Sequence, residues 1–391
     1  MKNLPTSKDK PLFTPGPLTT SQTVKQAMLR DLGSRDAEFI RVVQEIRSEL
    51  LNVAGVSQSD GYECVLMQGS GTFGIEAVMT CAIPRGGKWL IVMNGAYGQR
   101  MQKIAEVHGI PTAVLIYDEN QYISALDVDR ALSDDLSISA VAVVHCETTT
   151  GIMNPIDEVG AVVRKHNRTY FVDSMSAFGA TQFDFRKCEI DFLVSSANKC
   201  IEGVPGFSFC ISRRSALEQI VGWSRTLSLD LYEQWQGLEK SGQFRFTPPT
   251  HTMLAFRQAL EELKMEGGVP GREKRYQANC ATLLDGMRIL GFEEYLPTEK
   301  QGHIITSFLF PEDSNFNFET FYEKLNDRGF VIYPGKVSNA NCFRIGNIGR
   351  IFKSDVASLV SAIDIVLKEM LVSVQSRTRQ VRPTVGHSCR E

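Results

Sequence analysis

The sequence predicts an α/β protein in which a mostly parallel, seven-stranded sheet is covered by helices and is followed by a smaller, C-terminal α+β domain. From Tyr62 onward, short apolar runs alternate with stretches whose apolar residues recur every three or four positions. This alternation is typical of buried parallel strands connected by helices. After about Phe256 it gives way to long helical patterns, and 391 residues are enough for two domains.

Seven apolar runs are the predicted strands of the large sheet. They are Cys64 to Met67, Trp89 to Met93, Ala113 to Tyr117, Val141 to Val144, Tyr170 to Val172, Phe192 to Val194 and Phe207 to Ile211. Ligands of such sheets bind at the carboxyl ends of the strands. The polar residues that follow each run are therefore the candidate site residues.

The predicted organisation has four parts: an extended segment at residues 1–20, a large domain at 21–255, a small domain at 256–372 and a tail at 373–391. Three prolines between residues 11 and 17 exclude a helix there. The small domain is predicted from helices and strands at Ala255 to Lys264, Arg272 to Ile289, Ile304 to Phe310, Phe330 to Tyr333, Cys342 to Ile345 and Ser354 to Leu371. The tail has little apolar content and is expected to be disordered.

Composition excludes several classes of protein. A net charge of -3 lacks the basic excess of a nucleic-acid-binding protein. The nine cysteines are an odd number without a C-x-x-C pair, which favours reduced thiols in a cytoplasmic protein over a disulfide framework or a zinc site. The polar N-terminus lacks the apolar core of a signal peptide, and no run is long enough to span a membrane. We expect neither a membrane nor a nucleic acid as partner.

Lys199 follows one predicted strand and precedes a turn at residues 203–206 and a second strand. Burial on such a connection lowers the pKa of a lysine, so that its amine becomes a nucleophile toward a carbonyl. A solvated lysine on a surface loop has the same local sequence. The choice between the two interpretations depends on the neighbouring strand ends.

The first strand is followed by a glycine-rich turn, Gly69 to Gly74, which opens a helix and has the form G-x-G-x-x-G. A dinucleotide site also requires an acidic residue at the end of the next strand, where the sequence has Met93 and Asn94. Backbone N–H groups at a helix N-terminus still form a site for one phosphate. A tight turn without a ligand fits the same residues.

Other strand ends add groups of different chemistry. Tyr97 lies between glycines and can stack on a flat ring, His145 to Gly151 is rich in hydroxyls, and Asp173 ends the fifth strand. Asp173 has no second acidic neighbour to complete a metal site, so no metal is predicted. Pyridoxal 5′-phosphate uses the whole set: a phosphate site, a stacking ring, a partner for its ring oxygen, an anion at its ring nitrogen and an amine.

With these residues in place, the chain resembles the class V, fold-type I aminotransferases that depend on pyridoxal phosphate. The resemblance covers most of residues 11–371. It is carried by eight segments: Thr14 to Thr20, Gln68 to Gly71, Asn94 to Gly98, Glu147 to Gly151, Ser195 to Cys200, Ser228 to Tyr232, Pro248 to Thr252 and Phe343 to Gly349. It is closest to the members that exchange an amino group between 2-aminoethylphosphonate and pyruvate.

The resemblance implies roles around the cofactor ring. Lys199 would bond the aldehyde, and Asp173 would face the ring nitrogen. Tyr97 would stack on the ring, and Thr149 would lie near the ring oxygen. Asn198 is also expected among the cofactor-binding residues.

The same resemblance implies that Ser70, Gly71 and Thr72 hold the phosphate. In the broader family, a residue at the position of Thr247 reaches the phosphate of the neighbouring subunit. A homodimer with shared sites is therefore expected.

For the substrate, the resemblance implies that Arg344 binds an anion. A guanidinium grips a carboxylate or phosphonate through paired, charge-assisted hydrogen bonds. Gly16 and Arg35 are the other expected substrate-binding residues, and the small-molecule substrates are 2-aminoethylphosphonate and pyruvate.

Other functions remain open at this point. An alanine- or serine-glyoxylate aminotransferase has the same chemistry and differs in its substrates. The glycine pattern permits a dinucleotide-dependent oxidoreductase, and a protein that binds pyridoxal phosphate without catalysis has the same sequence features. Cysteine desulfurase is disfavoured because no cysteine stands out in a loop of the small domain.

Overall fold

The computed structural model describes residues 9–337 and 340–374, without the side chains of residues 336 and 337. Two helices precede the large sheet: α1 (Gln22–Gln26) and α2 (Ala37–Val53). Their N-termini are capped by Ser21, whose hydroxyl accepts from Val24 N at 3.1 Å, and by Asp36.

The strands of the large sheet are mostly buried, except for the edge strand Thr112–Ile116, in which no residue is buried. In chain order its strands are β1 (Tyr62–Gln68), β2 (Lys88–Met93), β3 (Thr112–Ile116), β4 (Ile138–Val144), β7 (Thr169–Asp173), β8 (Phe192–Ser196) and β9 (Phe207–Arg213). Two short strands between β4 and β7, β5 (Cys146–Glu147) and β6 (Ile152–Met153), form a separate hairpin. Six of the seven predicted runs lie entirely within strands of this sheet, and the remaining run, Ala113 to Tyr117, extends one residue beyond β3. The predicted fold class is confirmed.

The strand order of the seven-stranded sheet is β1-β9-β8-β7-β4-β2-β3. The pairs from β8 through β7, β4 and β2 to β3 are parallel. Only β9 runs against its two neighbours, β1 and β8. The carboxyl ends of β2, β4, β7 and β8 therefore meet at one edge of the sheet, where ligands of parallel sheets bind.

Helices cover the sheet because their apolar faces pack on it. They are α3 (Gly71–Cys81), α4 (Ala96–Val107), α5 (Ala125–Asp134), α6 (Ile156–Lys165), α7 (Arg214–Gln219) and α8 (Leu231–Ser241). Trp89 on β2 is fully buried, and its indole donates to Met79 O at 3.1 Å. The helix N-termini of α3 and α4 lie at the same edge as the strand ends above.

The rest of the chain forms long helices and a second sheet. Its elements are α9 (Thr250–Met265), α10 (Gly268–Ile289), β10 (Ile305–Leu309), α11 (Phe318–Asp327), β11 (Tyr333–Val337), β12 (Ala340–Gly346) and α12 (Lys353–Glu369). The sheet is antiparallel with the order β10-β12-β11. A separate core contains Phe308, Phe321 and Phe343, and Phe13 of the N-terminal segment packs in it.

The N-terminal segment is tied to this second core, since Phe13 N donates to Val331 O at 2.8 Å. The predicted boundary between residues 255 and 256 falls inside α9, whose apolar residues pack in the core of the large sheet. The four-part division of the chain stays a prediction. Residues 1–8 and 375–391 of its two terminal segments lie outside the described residues.

The strand predicted at Phe330 to Tyr333 is displaced, because β11 begins where that prediction ended. Pro334 and Gly335, two residues that are uncommon inside strands, directly follow the predicted strand. Proline is tolerated on an edge strand, and β11 pairs only with β12, so the strand continues through both residues.

Within residues 9–337 and 340–374, no helix has the length and apolar content needed to cross a bilayer. The eight cysteines of this described part are buried, and no disulfide joins any two of them.

Candidate active site

Two adjacent strand ends bring a carboxylate and an amine to the same edge of the large sheet. Asp173 is the last residue of β7 and pairs in register with Val194 of β8. Lys199 follows three residues after β8 ends. The two side chains interact electrostatically, each stabilising the charged form of the other. The structure thus places together the two residues on which the sequence prediction depended.

Lys199 lies in a tight turn, closed by a hydrogen bond of 2.7 Å from Glu202 N to Lys199 O. Its side chain is half-buried, and the Nζ donates to Pro15 O at 2.6 Å. Burial is the main cause that lowers the pKa of this amine. The amine is therefore easier to deprotonate than that of an exposed lysine.

Gly16 covers the amine from the N-terminal segment. Its φ of +114° is in the region that favours glycine, and a Cβ there would lie 2.9 Å from both Lys199 Nζ and Asn198 O. Only a hydrogen atom fits at this position. The N-terminal segment is thus a wall of the site, with Gly16 next to the reactive group.

Asp173 is 4% exposed, and its Oδ1 accepts from Met175 N at 2.9 Å. No ion pair joins its carboxylate to a cation in the described part of the chain. Burial raises the pKa of this carboxyl from 3.8 to about 6. The Asp173 carboxylate is therefore available to form an ion pair with a bound cation.

The N-terminus of α3 supplies a site for an anion. Ser70 is its N-cap, but its hydroxyl makes no capping hydrogen bond, and the first N–H groups of a helix have no partner within it. A Cβ on Gly71 would lie 2.3 Å from Met175 Sδ, so the turn packs against the residues that follow Asp173. Thr72 Oγ1 accepts from Arg100 Nη1 at 3.3 Å.

Tyr97 is in the first turn of α4 and is half-buried. Burial is the main cause that raises the pKa of its phenol. The guanidinium carbon of Arg100 lies 4.9 Å from the ring centroid, one helical turn further along. Arg100 therefore joins the aromatic ring to the helix α3 anion site.

Glu147 connects the hydroxyl-rich segment to α4. It is fully buried, and its Oε1 accepts from Thr149 N at 3.1 Å and from Thr149 Oγ1 at 2.6 Å. Its Oε2 accepts from Tyr97 N at 3.2 Å. A Cβ on Gly95 would lie 2.3 Å from Glu147 Cδ, which explains a glycine there. One carboxylate thus fixes two of the predicted cofactor-binding residues.

Arg344 on β12 reaches this segment from the second sheet. Its Nη1 donates to Thr148 O at 2.8 Å, and its Cζ lies 4.8 Å from the ring centroid of Tyr333. The Nε is buried without a partner, and no described carboxylate forms an ion pair with this guanidinium. A cation in this state is suited to bind an anionic substrate.

Three further predicted residues have less direct support. Asn198 is next to Lys199, and its Oδ1 accepts from Ser196 Oγ at 3.0 Å. Thr247 is exposed in the segment before α9, where its carbonyl oxygen lies 3.4 Å from Gln68 Nε2 at the end of β1. Arg35 is exposed on the turn before α2, and no hydrogen bond of the described residues joins it to Lys199 or Arg344. The roles of these residues stay predictions.

The sequence analysis missed three contributors to the site: Pro15, Arg100 and Glu147. Pro15 and Glu147 lie in segments that carry the family resemblance, and Arg100 lies two residues beyond one of them. Arg100 follows Tyr97 at a spacing of three, which is about one helical turn and was a usable signal. Pro15 acts through its carbonyl oxygen and Glu147 through backbone donors, and neither contact has a sequence signature.

The arrangement fits pyridoxal phosphate. It offers an amine with a lowered pKa for the aldehyde, a buried carboxylate without a strong partner for the ring nitrogen, and a helix N-terminus for the phosphate. His145 is not a base here, because burial lowers its pKa to about 4 and its Nδ1 lies 3.0 Å from Ser174 Oγ. It supports the strand ends as a neutral, hydrogen-bonded residue.

Comparison with known proteins agrees with this geometry. The family model described as "Aminotransferase class-V" matches residues 19–345. A 2-aminoethylphosphonate–pyruvate transaminase of Vibrio vulnificus is 50% identical over 90% of this chain and 96% of its own. A protein of the same name from Salmonella heidelberg is 51% identical over 92% of this chain and 98% of its own.

Solved structures share the fold at low identity. A ureidoglycine–glyoxylate aminotransferase of Bacillus subtilis has a TM-score of 0.86 at 20% identity, covering 95% of this chain and 96% of its own. An alanine–glyoxylate aminotransferase of Nostoc sp. has a TM-score of 0.85 at 23% identity, covering 94% and 97%. The predicted class, fold type, transferase chemistry and cofactor are thereby confirmed: this chain belongs to the class V aminotransferase family.

Proposed function

We propose that this chain transfers the amino group of 2-aminoethylphosphonate to pyruvate, which yields phosphonoacetaldehyde and L-alanine. The observation that carries the proposal is the Lys199 amine, held beside Asp173 at the strand ends with a lowered pKa. The names of the relatives at about half identity support the choice of substrates. The guanidinium of Arg344, which donates to two backbone oxygens and forms no ion pair with a described carboxylate, supports an anionic substrate.

Pyridoxal phosphate, when bound, supplies an aldehyde for the exchange of amines and a ring that accepts the electrons of the substrate carbon. Lys199 would bond the aldehyde, and Asp173 would face the ring nitrogen as an anion. Tyr97 would cover the ring, and Thr149 would lie at the ring oxygen. Asn198 adjoins Lys199 and would border the ring.

Ser70, Gly71 and Thr72 would bind the phosphate with the N-terminal N–H groups of α3. We add Arg100 to this set, because its guanidinium lies 3.3 Å from Thr72 Oγ1 and would place a positive charge beside the phosphate. Its position over Tyr97 would also restrict the orientation of that ring.

Lys199 would act as the base that removes a proton from the substrate carbon, once the substrate amine has taken its place. A neutral amine is needed for this step, and burial provides it by lowering the pKa. The Pro15 carbonyl oxygen accepts a hydrogen bond from the free Nζ and holds it in the site. Lys199 Nζ would deliver that proton to the aldehyde carbon of the cofactor in the same half-reaction, and would carry a proton in the opposite direction in the second half.

Arg344 would bind the phosphonate of the donor and the carboxylate of pyruvate in turn. Its Nη1 donates to Thr148 O at 2.8 Å and its Nη2 to Pro334 O at 3.3 Å, and these two contacts orient the guanidinium whose remaining Nη protons would meet the anion. Gly16 would allow the substrate to approach Lys199 closely, since any side chain there would fill the space. Arg35 is proposed as a second anion contact on the basis of the family resemblance alone.

We also propose a homodimer with shared sites, in which Thr247 reaches the phosphate of the partner subunit. The exposure of Thr247 and of Phe246, which is 44% exposed, supports a contact surface in this segment. A cytoplasmic location is proposed as well, and it is supported by cysteines that form no disulfide in the described part of the chain.

The direct test is to supply 2-aminoethylphosphonate and pyruvate to the purified, cofactor-loaded protein and to measure alanine. We expect alanine in proportion to phosphonoacetaldehyde. A parallel series with alanine or serine as donor and glyoxylate as acceptor separates the rival substrate pairs. Rapid turnover of a glyoxylate pair with no alanine from the phosphonate would refute the proposed substrates.

A further inference from the structure

The hydroxyl of Thr149 has its only proton committed. It donates to Glu147 Oε1 at 2.6 Å, and its oxygen accepts from Ala96 N at 3.3 Å. A hydroxyl has one proton and two lone pairs. One lone pair therefore remains, so Thr149 can only accept a hydrogen bond from a further partner.

Glu147 is an acceptor on every side. Three donors converge on its carboxylate: Thr149 N, Thr149 Oγ1 and Tyr97 N. Its side chain is fully buried and packs against Gly95, where no Cβ fits. An acceptor with several N–H and O–H donors is best satisfied as a carboxylate. The arrangement thus keeps the Thr149 proton on the Glu147 side.

We propose that Glu147 is a positioning residue whose carboxylate withholds the Thr149 proton from the ring oxygen of the cofactor and fixes Thr149 as an acceptor there. The proposal rests on the proposed function, which places Thr149 at that oxygen. The family resemblance implies that Thr149 lies near the ring oxygen, and the proposal adds that Thr149 accepts, rather than donates, the hydrogen bond there.

The consequence concerns the proton that the lysine-bound cofactor shares between the lysine nitrogen and its ring oxygen. An acceptor beside the ring oxygen disfavours the deprotonated, negatively charged oxygen. The negative charge of Glu147 acts in the same direction. Both effects raise the pH at which the shared proton is lost, so removing either one should lower it.

Other charged groups border the same space and are unchanged by the test. Asp173 ends β7, Lys199 follows β8, Arg100 is on α4, and Arg344 on β12 binds the neighbouring Thr148 O. Asp173 adds to the burial that raises the pKa of Glu147 to about 7. Near neutral pH, protonation of Glu147 would free the Thr149 proton, which makes the contact responsive to pH.

The experiment is a pH titration of the visible absorbance of the cofactor-loaded protein. For Glu147→Gln we expect the midpoint to fall by at least about one pH unit. For Thr149→Val we also expect a fall, since an acceptor is removed. A Thr149 that donates to the ring oxygen would give the opposite sign in this variant. Glu158→Gln, at an exposed site on α6, is the matched control and should not shift.

Cofactor content and circular dichroism are measured for each variant. If Glu147→Gln does not fold, the sign of the Thr149→Val shift still decides. A rise in the Thr149→Val midpoint, or an unchanged midpoint in a folded, loaded Glu147→Gln protein, overturns the role of Glu147. A wild-type protein that gains no visible absorbance with pyridoxal phosphate would instead refute the proposed cofactor site.

Discussion

The buried carboxyl of Asp173 should contribute stability to the cofactor-free protein in mild acid that is lost in mild base. Burial raises its pKa from 3.8 to about 6, so the folded state takes up a proton before the unfolded state as the pH falls. This contribution is fully present below about pH 4 and is lost as the pH rises through about 6. Linkage gives about 1.4 kcal/mol between pH values of about 8 and about 5.

The assay is urea unfolding of the cofactor-free protein at about pH 5 and at about pH 8 for wild type and Asp173→Asn. The asparagine oxygen can still accept from Met175 N. We expect wild type to gain about 1.4 kcal/mol more than the variant on acidification. The carboxyl of Glu147 also titrates in this window, but it is present in both proteins, so most of its contribution cancels.

Asp157→Asn is the matched control. Asp157 binds Lys187, and this contact lowers the pKa of its carboxyl, so it titrates below the pH window. The free energy of unfolding of this control should change between the two pH values as it does in wild type. Equal pH dependence in wild type and Asp173→Asn would refute the reasoning that Asp173 is a buried anion without a strong partner. Bound cofactor should reduce the effect, because a protonated ring nitrogen would keep the carboxylate ionised.

Three substitutions test the rest of the site. Lys199→Ala should abolish both turnover and the visible absorbance of the loaded protein, and residual full activity would exclude Lys199 as the reactive amine. Arg344→Ala should lower turnover of both substrates by at least about tenfold, because a charge-assisted hydrogen bond is worth about 1.5–3 kcal/mol; the exposed control Arg130→Ala should behave as wild type. Gly16→Ala should impair cofactor loading, since its Cβ would lie 2.9 Å from Lys199 Nζ, whereas a Cβ on Gly33 meets no atom closer than 3.9 Å and that variant should load normally.

The sheet was predictable because its strands are continuous apolar runs between helical stretches. Each apolar run can be recognised from a few neighbouring residues. In the structure, most of the strands extend one to three residues beyond the predicted run. Because the carboxyl ends of parallel strands meet at one edge of the sheet, Asp173 and Lys199 were expected to be neighbours, and the structure places them together. A residue's position at the end of a strand depends on its neighbours in the sequence, so it could be predicted from the sequence.

Other features depended on tertiary contacts that leave no local pattern. The edge strand β11 passes through Pro334 and Gly335, which normally interrupt strands. The hydrogen bond from Lys199 Nζ to Pro15 O joins residues 184 positions apart and uses a backbone oxygen. In the sequence, Glu147 is one polar residue in a hydroxyl-rich segment. Its role becomes evident only in the structure, where Tyr97 N and Thr149 Oγ1 donate to its carboxylate.

The central claim is that the amine of Lys199 forms the covalent bond to pyridoxal phosphate. The most direct measurement is to load the protein, reduce the bond with borohydride, digest the protein and locate the modified lysine by mass spectrometry. We predict one stoichiometric modification, on Lys199. Modification spread over surface lysines, or a full modification at another lysine, would contradict the account.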